Sequence, residues 1–184
     1  LGIVQALTGF LVLWHRRDPA RLLSLLEKTP ALPELPVTAV VLPIFNEDVS
    51  RVYEGLRAIY RSVEKTGQLK HFDFFILSDS NDPNKWIEEE MAWAELCKQV
   101  RGFGRIFYRR RKIALNRKSG NISDFCRRWG SKYRYMVILD ADSVISGDCL
   151  VKLSQLMELN PQAGIIQAAP VQALSESLFG RFMQ

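Results

Sequence analysis

Asp140-Ala141-Asp142 follows directly on the apolar run Tyr135-Met136-Val137-Ile138-Leu139, so two carboxylates stand at the exit of a segment that reads as a buried strand. Residues two apart in extended chain point to the same side, which lets Asp140 and Asp142 face one polyvalent cation or its ligand together. Carboxylate oxygens are hard ligands that suit Mg²⁺ or Mn²⁺. Taken alone, an Asp-x-Asp is more often a solvated turn with a helix cap, and the chemistry has to be argued from its neighbours. Two further apolar runs end in polar segments, Pro43-Ile44-Phe45-Asn46-Glu47-Asp48 and Ser78-Asp79-Ser80-Asn81-Asp82. Arg117-Lys118-Ser119-Gly120-Asn121 leads into a helical pattern, whose first N–H groups and positive dipole end favour an anion. There Lys118 would offer a point charge to a phosphate, and Gly120 would permit close backbone approach.

The elements that must position these residues alternate along the chain. Val37 to Leu42 reads as a β-branched, buried strand, and Val52, Leu56, Ile59, Tyr60 and Val63 then recur on one helix face. Phe72 to Leu77 is a second strand, Pro83 to about Val100 a second helix and Arg105 to Tyr108 a short strand. Ile122, Phe125, Cys126 and Trp129 mark a third helix face. Met136 to Leu139, a helix carrying Leu150, Leu153, Leu156 and Met157, and a strand over Gly164 to Ala168 complete the pattern. This alternation predicts an α/β fold, a mostly parallel sheet covered by helices on both sides. In such sheets ligands bind outside the carboxyl ends of the strands, which brings the polar exits to one edge.

With 184 residues, 47% of them apolar, the chain can bury one substantial core. It opens at Leu1 without an initiator Met and stops at Gln184 inside a helical pattern, so the expectation is a piece of a longer protein. Residues 1 to 14 are nearly all apolar and precede His15-Arg16-Arg17. We expect residues 1–17 to be the end of a transmembrane helix with its Arg pair on the cytoplasmic side; a buried amphipathic helix is the alternative. Residues 18–36 read as a juxtamembrane helix and a Pro-rich linker, and 37–184 as the α/β domain. Cys97, Cys126 and Cys149 lack any Cys-x-x-Cys pattern, which argues against a disulfide framework or zinc site and fits a reducing, cytosol-facing environment. His15 and His71 have no partners at ligand spacing and are expected at the surface.

The net charge of +5 is local in origin. Nine of the 25 Lys and Arg fall between Leu96 and Ser123, where no acid occurs; the remaining sixteen face 20 Asp and Glu elsewhere. Such a segment marks an anionic partner. One candidate partner is nucleic acid, bound through residues 105–118 with Phe103, Phe107 and Tyr108 as stacking platforms. Against it, the carboxylates at the strand exits would repel phosphates unless a metal intervenes. A nucleotidyltransferase on a similar sheet would be expected to carry a Gly-rich phosphate loop near its first strand, and Pro43 to Asp48 is not one.

In their order, the Pro-x-Phe-Asn-Glu loop, Asp79 after the second strand, Lys118-x-Gly120-Asn121 and Asp140-x-Asp142 resemble the glycosyltransferases of family 2. These have the GT-A fold shared by cellulose, chitin and hyaluronan synthases, and the resemblance covers about Val37 to Gln184. It implies a partial GT-A domain, the nucleotide-sugar-binding half. The implied activity is inverting transfer of glucose from a UDP-glucose donor to a growing β-glucan acceptor, as in synthesis of the backbone of osmoregulated periplasmic glucans. It further implies a bacterial inner-membrane enzyme whose glycosyltransferase domain is cytoplasmic, with the membrane as a partner and no nucleic acid.

By the same resemblance Phe45 would pack on the uracil, with Asn46 and Glu47 shaping the pocket. Asp79 would contact the uridine and Lys118 the diphosphate. Asp140 would approach the ribose or the metal, and Asp142 would bind Mg²⁺ or Mn²⁺ bridging the diphosphate. The chain departs from the family where many relatives have Tyr in place of Phe45 and Asp-Asp-Gly in place of Ser78-Asp79-Ser80. The family's Thr/Ser-Glu-Asp motif, whose Asp is the general base, and its Gln-x-x-Arg-Trp motif do not occur; Gln167-Ala168-Ala169-Pro170 and the Arg181 region do not replace them. No catalytic base is therefore expected in this chain, only the donor half of the site.

Overall fold

A computed structural model describes residues 34–169. The expected transmembrane and juxtamembrane helices, most of the Pro-rich linker, and the stretch after Ala169 with Arg181 lie outside the described residues. Among the described residues no helix is long and apolar enough to cross a membrane.

Four strands form one parallel sheet: β1 (Thr38–Ile44), β2 (Phe72–Ser78), β3 (Ile106–Arg110) and β4 (Tyr135–Ile138). Between and after them come the helices α1 (Val49–Lys65), α2 (Pro83–Val100), α3 (Arg117–Trp129) and α4 (Gly147–Leu159). The strand order is β3-β2-β1-β4. Successive strands step outward from β1 to β3, and the chain then returns past β1 to lay down β4. With right-handed crossovers this reversal moves the connecting helix to the opposite face and leaves a crevice between the ends of β1 and β4.

The side-chain alternation of the strands builds two cores. Val40, Leu42, Ile44, Phe72, Phe74 and Ile76 join the buried faces of α1, α2 and α4 on one side of the sheet. On the other side Ala39, Val41, Phe75 and Leu77 pack with Phe125 of α3, and Phe107, Trp129 and Tyr133 extend that aromatic cluster. Gly147 opens α4 where an added Cβ would meet the Ser62 carbonyl oxygen at 2.3 Å, so only glycine lets α4 start this close to α1.

Pro43 has a positional reason to sit in a central strand. The carbonyl of Val41 accepts from the N–H of Leu139 at 3.0 Å, so odd-numbered residues of β1 direct their backbone groups to β4. Pairing with β4 ends at Val41 opposite Ile138. The N–H that Pro43 lacks would therefore point past the end of β4, into the crevice, where the ladder needs no donor.

Several sequence expectations are corrected. Gly164 to Ala168 is not a strand; it pairs with no neighbour among the described residues, and Ile165 is 88% exposed. Its β-branched composition does not supply the second backbone that a strand requires. The inner face of α3 is rotated: Asn121 and Phe125 are buried while Cys126 is exposed, because the Asn121 amide donates to the Leu77 carbonyl at 2.9 Å. His71 is buried in the turn before β2, where burial and the adjacent Lys70 hold its imidazole below the ordinary value.

Candidate functional site

The exits of β1, β2 and β4 and the start of α3 surround one cavity of about 930 Å³. Phe45, Glu47, Asp79, Lys118, Asp140 and Asp142 all line it. Asn46, the seventh expected residue, does not. Its backbone is left-handed, with φ 53°, and its side chain ties two loops together: the amide donates to Asn81 Oδ1 at 2.6 Å, and its oxygen accepts from the Asn81 N–H at 3.2 Å. Asn46 therefore shapes the cavity as a brace between the β1 and β2 loops. Phe45 is 55% exposed, which leaves its ring open to stacking on a planar group.

Asp79 is 6% exposed, and both its oxygens are held by Arg111: Nε donates at 2.7 Å and Nη2 at 2.5 Å. This is a bidentate fork, and its hydrogen bonds raise the Arg111 guanidinium above the ordinary arginine value against the opposing effect of burial. Arg111 also donates to the carbonyls of Leu115 and Arg117, each at 3.2 Å, so one side chain links the β2 exit to the loop that opens α3. A carboxylate offers about four acceptor positions, and Asp79 can still accept from a ligand.

That loop turns into α3 through two left-handed residues, Asn116 (φ 58°) and Arg117 (φ 47°). Such backbone is unfavourable for Arg and persists only where surroundings hold it, here the Arg111 clamp. Gly120 has a more local role than expected. An added Cβ would lie 2.0 Å from the Leu115 carbonyl oxygen, so the close approach it permits is to its own loop. Lys118 forms an ion pair with Asp140 across the cavity mouth, both side chains substantially exposed. Asp142 is exposed, and among the described residues neither it nor Glu47 has a side-chain hydrogen bond or ion pair.

The charge balance bears on a metal. With Asp79 neutralised by Arg111, Asp48 capping α1 by accepting from the Arg51 N–H at 2.9 Å and Asp140 paired to Lys118, the uncompensated wall carboxylates are Glu47 and Asp142. Arg51 and Arg117 supply further positive charge to the wall. No cluster of three or more His, Cys, Asp or Glu able to hold a metal occurs among the described residues. Asp140 and Asp142 at the β4 exit, the first released when Lys118 turns to an anion, are hard oxygen ligands that would fit a hydrated ion such as Mg²⁺ without a protein cage.

Much of the basic segment is engaged internally. Arg105 pairs with Asp73 at 3.1 Å, Arg109 with Asp124 at 2.7 Å, and Arg110 lies over the Trp86 ring at 3.8 Å. Phe107 is stacked on Phe75, and the Tyr108 hydroxyl donates to Glu89. Arg105, Arg109, Phe107 and Tyr108 are thus committed to the fold, while Lys112, Arg117, Lys118 and Phe103 stay exposed, and nothing in this arrangement favours a nucleic-acid interface over 105–118. Sequence reasoning counted Arg111 as one charge of a patch and did not single out Glu89, Arg51 or the Asn46 brace. The signal for Arg111 was its place just after the third strand, next to the exit bearing Asp79.

Comparison with known proteins places this geometry. The model of glycosyl transferase family 2 matches residues 39–182. Proteins named glucans biosynthesis glucosyltransferase H from Pectobacterium atrosepticum and Pseudomonas paraeruginosa are 56% and 54% identical over 183 residues, and that of Dickeya dadantii is 54% identical. The matches cover 100% of this chain but 21 to 22% of the relatives, so the chain spans about a fifth of their length. An ordered set of strand-exit residues, a parallel sheet whose switch point opens beside them, and a family match over most of the sequence agree: the chain belongs to glycosyl transferase family 2.

Proposed function

We propose that this chain forms the donor-binding half of an inverting glucosyltransferase, which transfers glucose from UDP-glucose to a growing β-glucan, the backbone of an osmoregulated periplasmic glucan. The observation that carries the reading is the convergence of Phe45, Glu47, Asp79, Lys118, Asp140 and Asp142 on one cavity at the switch point of the sheet. The relatives' shared name supplies the sugar and the polymer.

In this reading the exposed Phe45 ring stacks on uracil, and Asp79, oriented by Arg111, accepts a hydrogen bond from the uridine. Lys118 exchanges Asp140 for the diphosphate, assisted by the N–H groups at the start of α3. Asp142, with Asp140, would hold Mg²⁺ or Mn²⁺, which would supply positive charge to stabilise the UDP leaving group. The general base belongs to a segment beyond Gln184. The enzyme is assigned to the bacterial inner membrane with this domain on the cytoplasmic side, in keeping with the apolar run of residues 1–14 followed by Arg16 and Arg17.

Calorimetric titration of UDP and UDP-glucose into the protein, with Mn²⁺ or with chelator, tests the donor site. Binding that requires the metal and is lost in Asp142→Asn is the expected result. Metal-independent binding, or equal affinity in folded Asp142→Asn, would remove Asp142 from the site; absence of any binding in the full-length enzyme would overturn the reading.

A further inference from the structure

The most buried carboxylate in the described residues is not in the cavity but behind it. Glu89, on α2, is 1% exposed and accepts three hydroxyl hydrogen bonds: from Ser78 at 2.6 Å, Ser80 at 2.5 Å and Tyr108 at 2.9 Å. Placing a carboxylate in an apolar core is unfavourable unless its acceptors are filled, and here each partner comes from a different point on the sheet's ligand edge. Ser78 closes β2, Ser80 follows the exit residue Asp79, and Tyr108 lies on β3 three residues before Arg111.

The two serines bracket Asp79. In extended chain the middle of three residues points opposite its neighbours, so anchoring both hydroxyls on Glu89 turns the Asp79 carboxylate toward Arg111 and the cavity. Ser80 Oγ also accepts from the N–H of Asn46 at 2.8 Å, and Ser78 Oγ accepts from the Ser80 N–H at 3.2 Å. Trp86, on the same helix, donates its indole N–H to the Ser80 carbonyl. One helix thereby holds the β2 exit directly, the β1 loop through Ser80 and the β3 exit through Tyr108.

We infer that Glu89 is a positioning residue that sets the Phe45–Glu47 loop and the Asp79 carboxylate for nucleotide binding, without itself touching the ligand. The part of this inference that concerns nucleotide rests on the donor-site reading above; the part that concerns the two loops does not. Replacing the carboxylate by an amide keeps the volume but leaves one oxygen to receive three hydroxyl protons, so at least one serine or tyrosine must turn away or lose its partner.

The test compares Glu89→Gln, Ser80→Ala and Tyr108→Phe with the parent protein by amide hydrogen exchange and by UDP titration. Exchange at the Asn46 and Ser80 amides is expected to rise about tenfold in Glu89→Gln while the buried amides of α1 stay protected, and UDP affinity is expected to fall by about tenfold. Ser80→Ala should reproduce both effects and Tyr108→Phe neither in full, since only Ser80 reaches the β1 loop. Unchanged loop exchange, or unchanged UDP affinity in a folded variant, would reduce Glu89 to a core residue and overturn the inference. Should Glu89→Gln not fold, the Ser80→Ala and Tyr108→Phe pair decides by the same readouts. A full-length enzyme that binds no UDP would sink the donor-site reading, while loop exchange would still decide the role of Glu89.

Discussion

The two walls of the cavity are built on different principles. The β2 wall is buried and braced from behind: Asp79 is 6% exposed and locked in a fork with Arg111, itself 9% exposed, from the β3 exit, and Ser78, Ser80 and Tyr108 converge on Glu89. The β4 wall is open: Lys118 and Asp140 are 48% and 67% exposed, and Asp142 has no side-chain partner among the described residues. Groups held in a dry interior keep their geometry without a ligand, whereas exposed side chains are screened by water and adopt theirs when a ligand or ion arrives. The difference matches the division of labour proposed for a nucleotide sugar, with a preorganised surface for the nucleoside and an adjustable, ion-dependent one for the diphosphate.

On this contrast, substitutions on the first wall should damage folding and those on the second should damage binding alone. The largest effect is expected for Arg111→Ala, which strands a buried carboxylate and releases the Leu115 and Arg117 carbonyls. It should lower stability in urea denaturation by about 3–5 kcal/mol. The double variant Asp79→Ala/Arg111→Ala should recover part of that loss, and failure to do so would mean that the fork is not the source of the cost. Gly120→Ala comes next, at about 1–3 kcal/mol, because its Cβ would meet backbone 2.0 Å away; a neutral result would show that the α3 loop yields easily and would weaken the contrast.

A smaller loss, about 1 kcal/mol, is expected for Asp48→Ala, which removes the N-cap of α1 and is measured by the same denaturation. Least of all for stability, Lys118→Ala should stay within about 0.5 kcal/mol of the parent while weakening UDP affinity by calorimetry, more so at low ionic strength. A Lys118 variant that unfolds the protein would break the comparison outright.

How far the site was legible in the sequence follows from the same contrast. Strand exits are local features: an apolar run ending in Asp140-x-Asp142 or Phe45-Asn46-Glu47 announces itself, and the parallel arrangement carries these exits to one edge. Arg111 and Glu89 are not local. Arg111 looks like any member of a basic run until β3 is paired with β2, Ser78 opposite Arg110, and Glu89 like any helical surface acid until α2 packs against the sheet. The α3 face was misjudged at Cys126 for a similar reason, since the Asn121 hydrogen bond to β2 sets the rotation of the helix.

The sequence by itself determined the alternation of strands and helices as far as α4, the family, and the open wall of the cavity, because hydrophobic period and strand-end motifs are written in contiguous residues. Only the tertiary structure decided which charges are locked and which are available. A carboxylate's role depends on whether a partner separated by 32 residues in the chain, as Arg111 is from Asp79, comes within hydrogen-bond reach after burial. That distance is set by packing and strand register, which no local pattern of residue types contains.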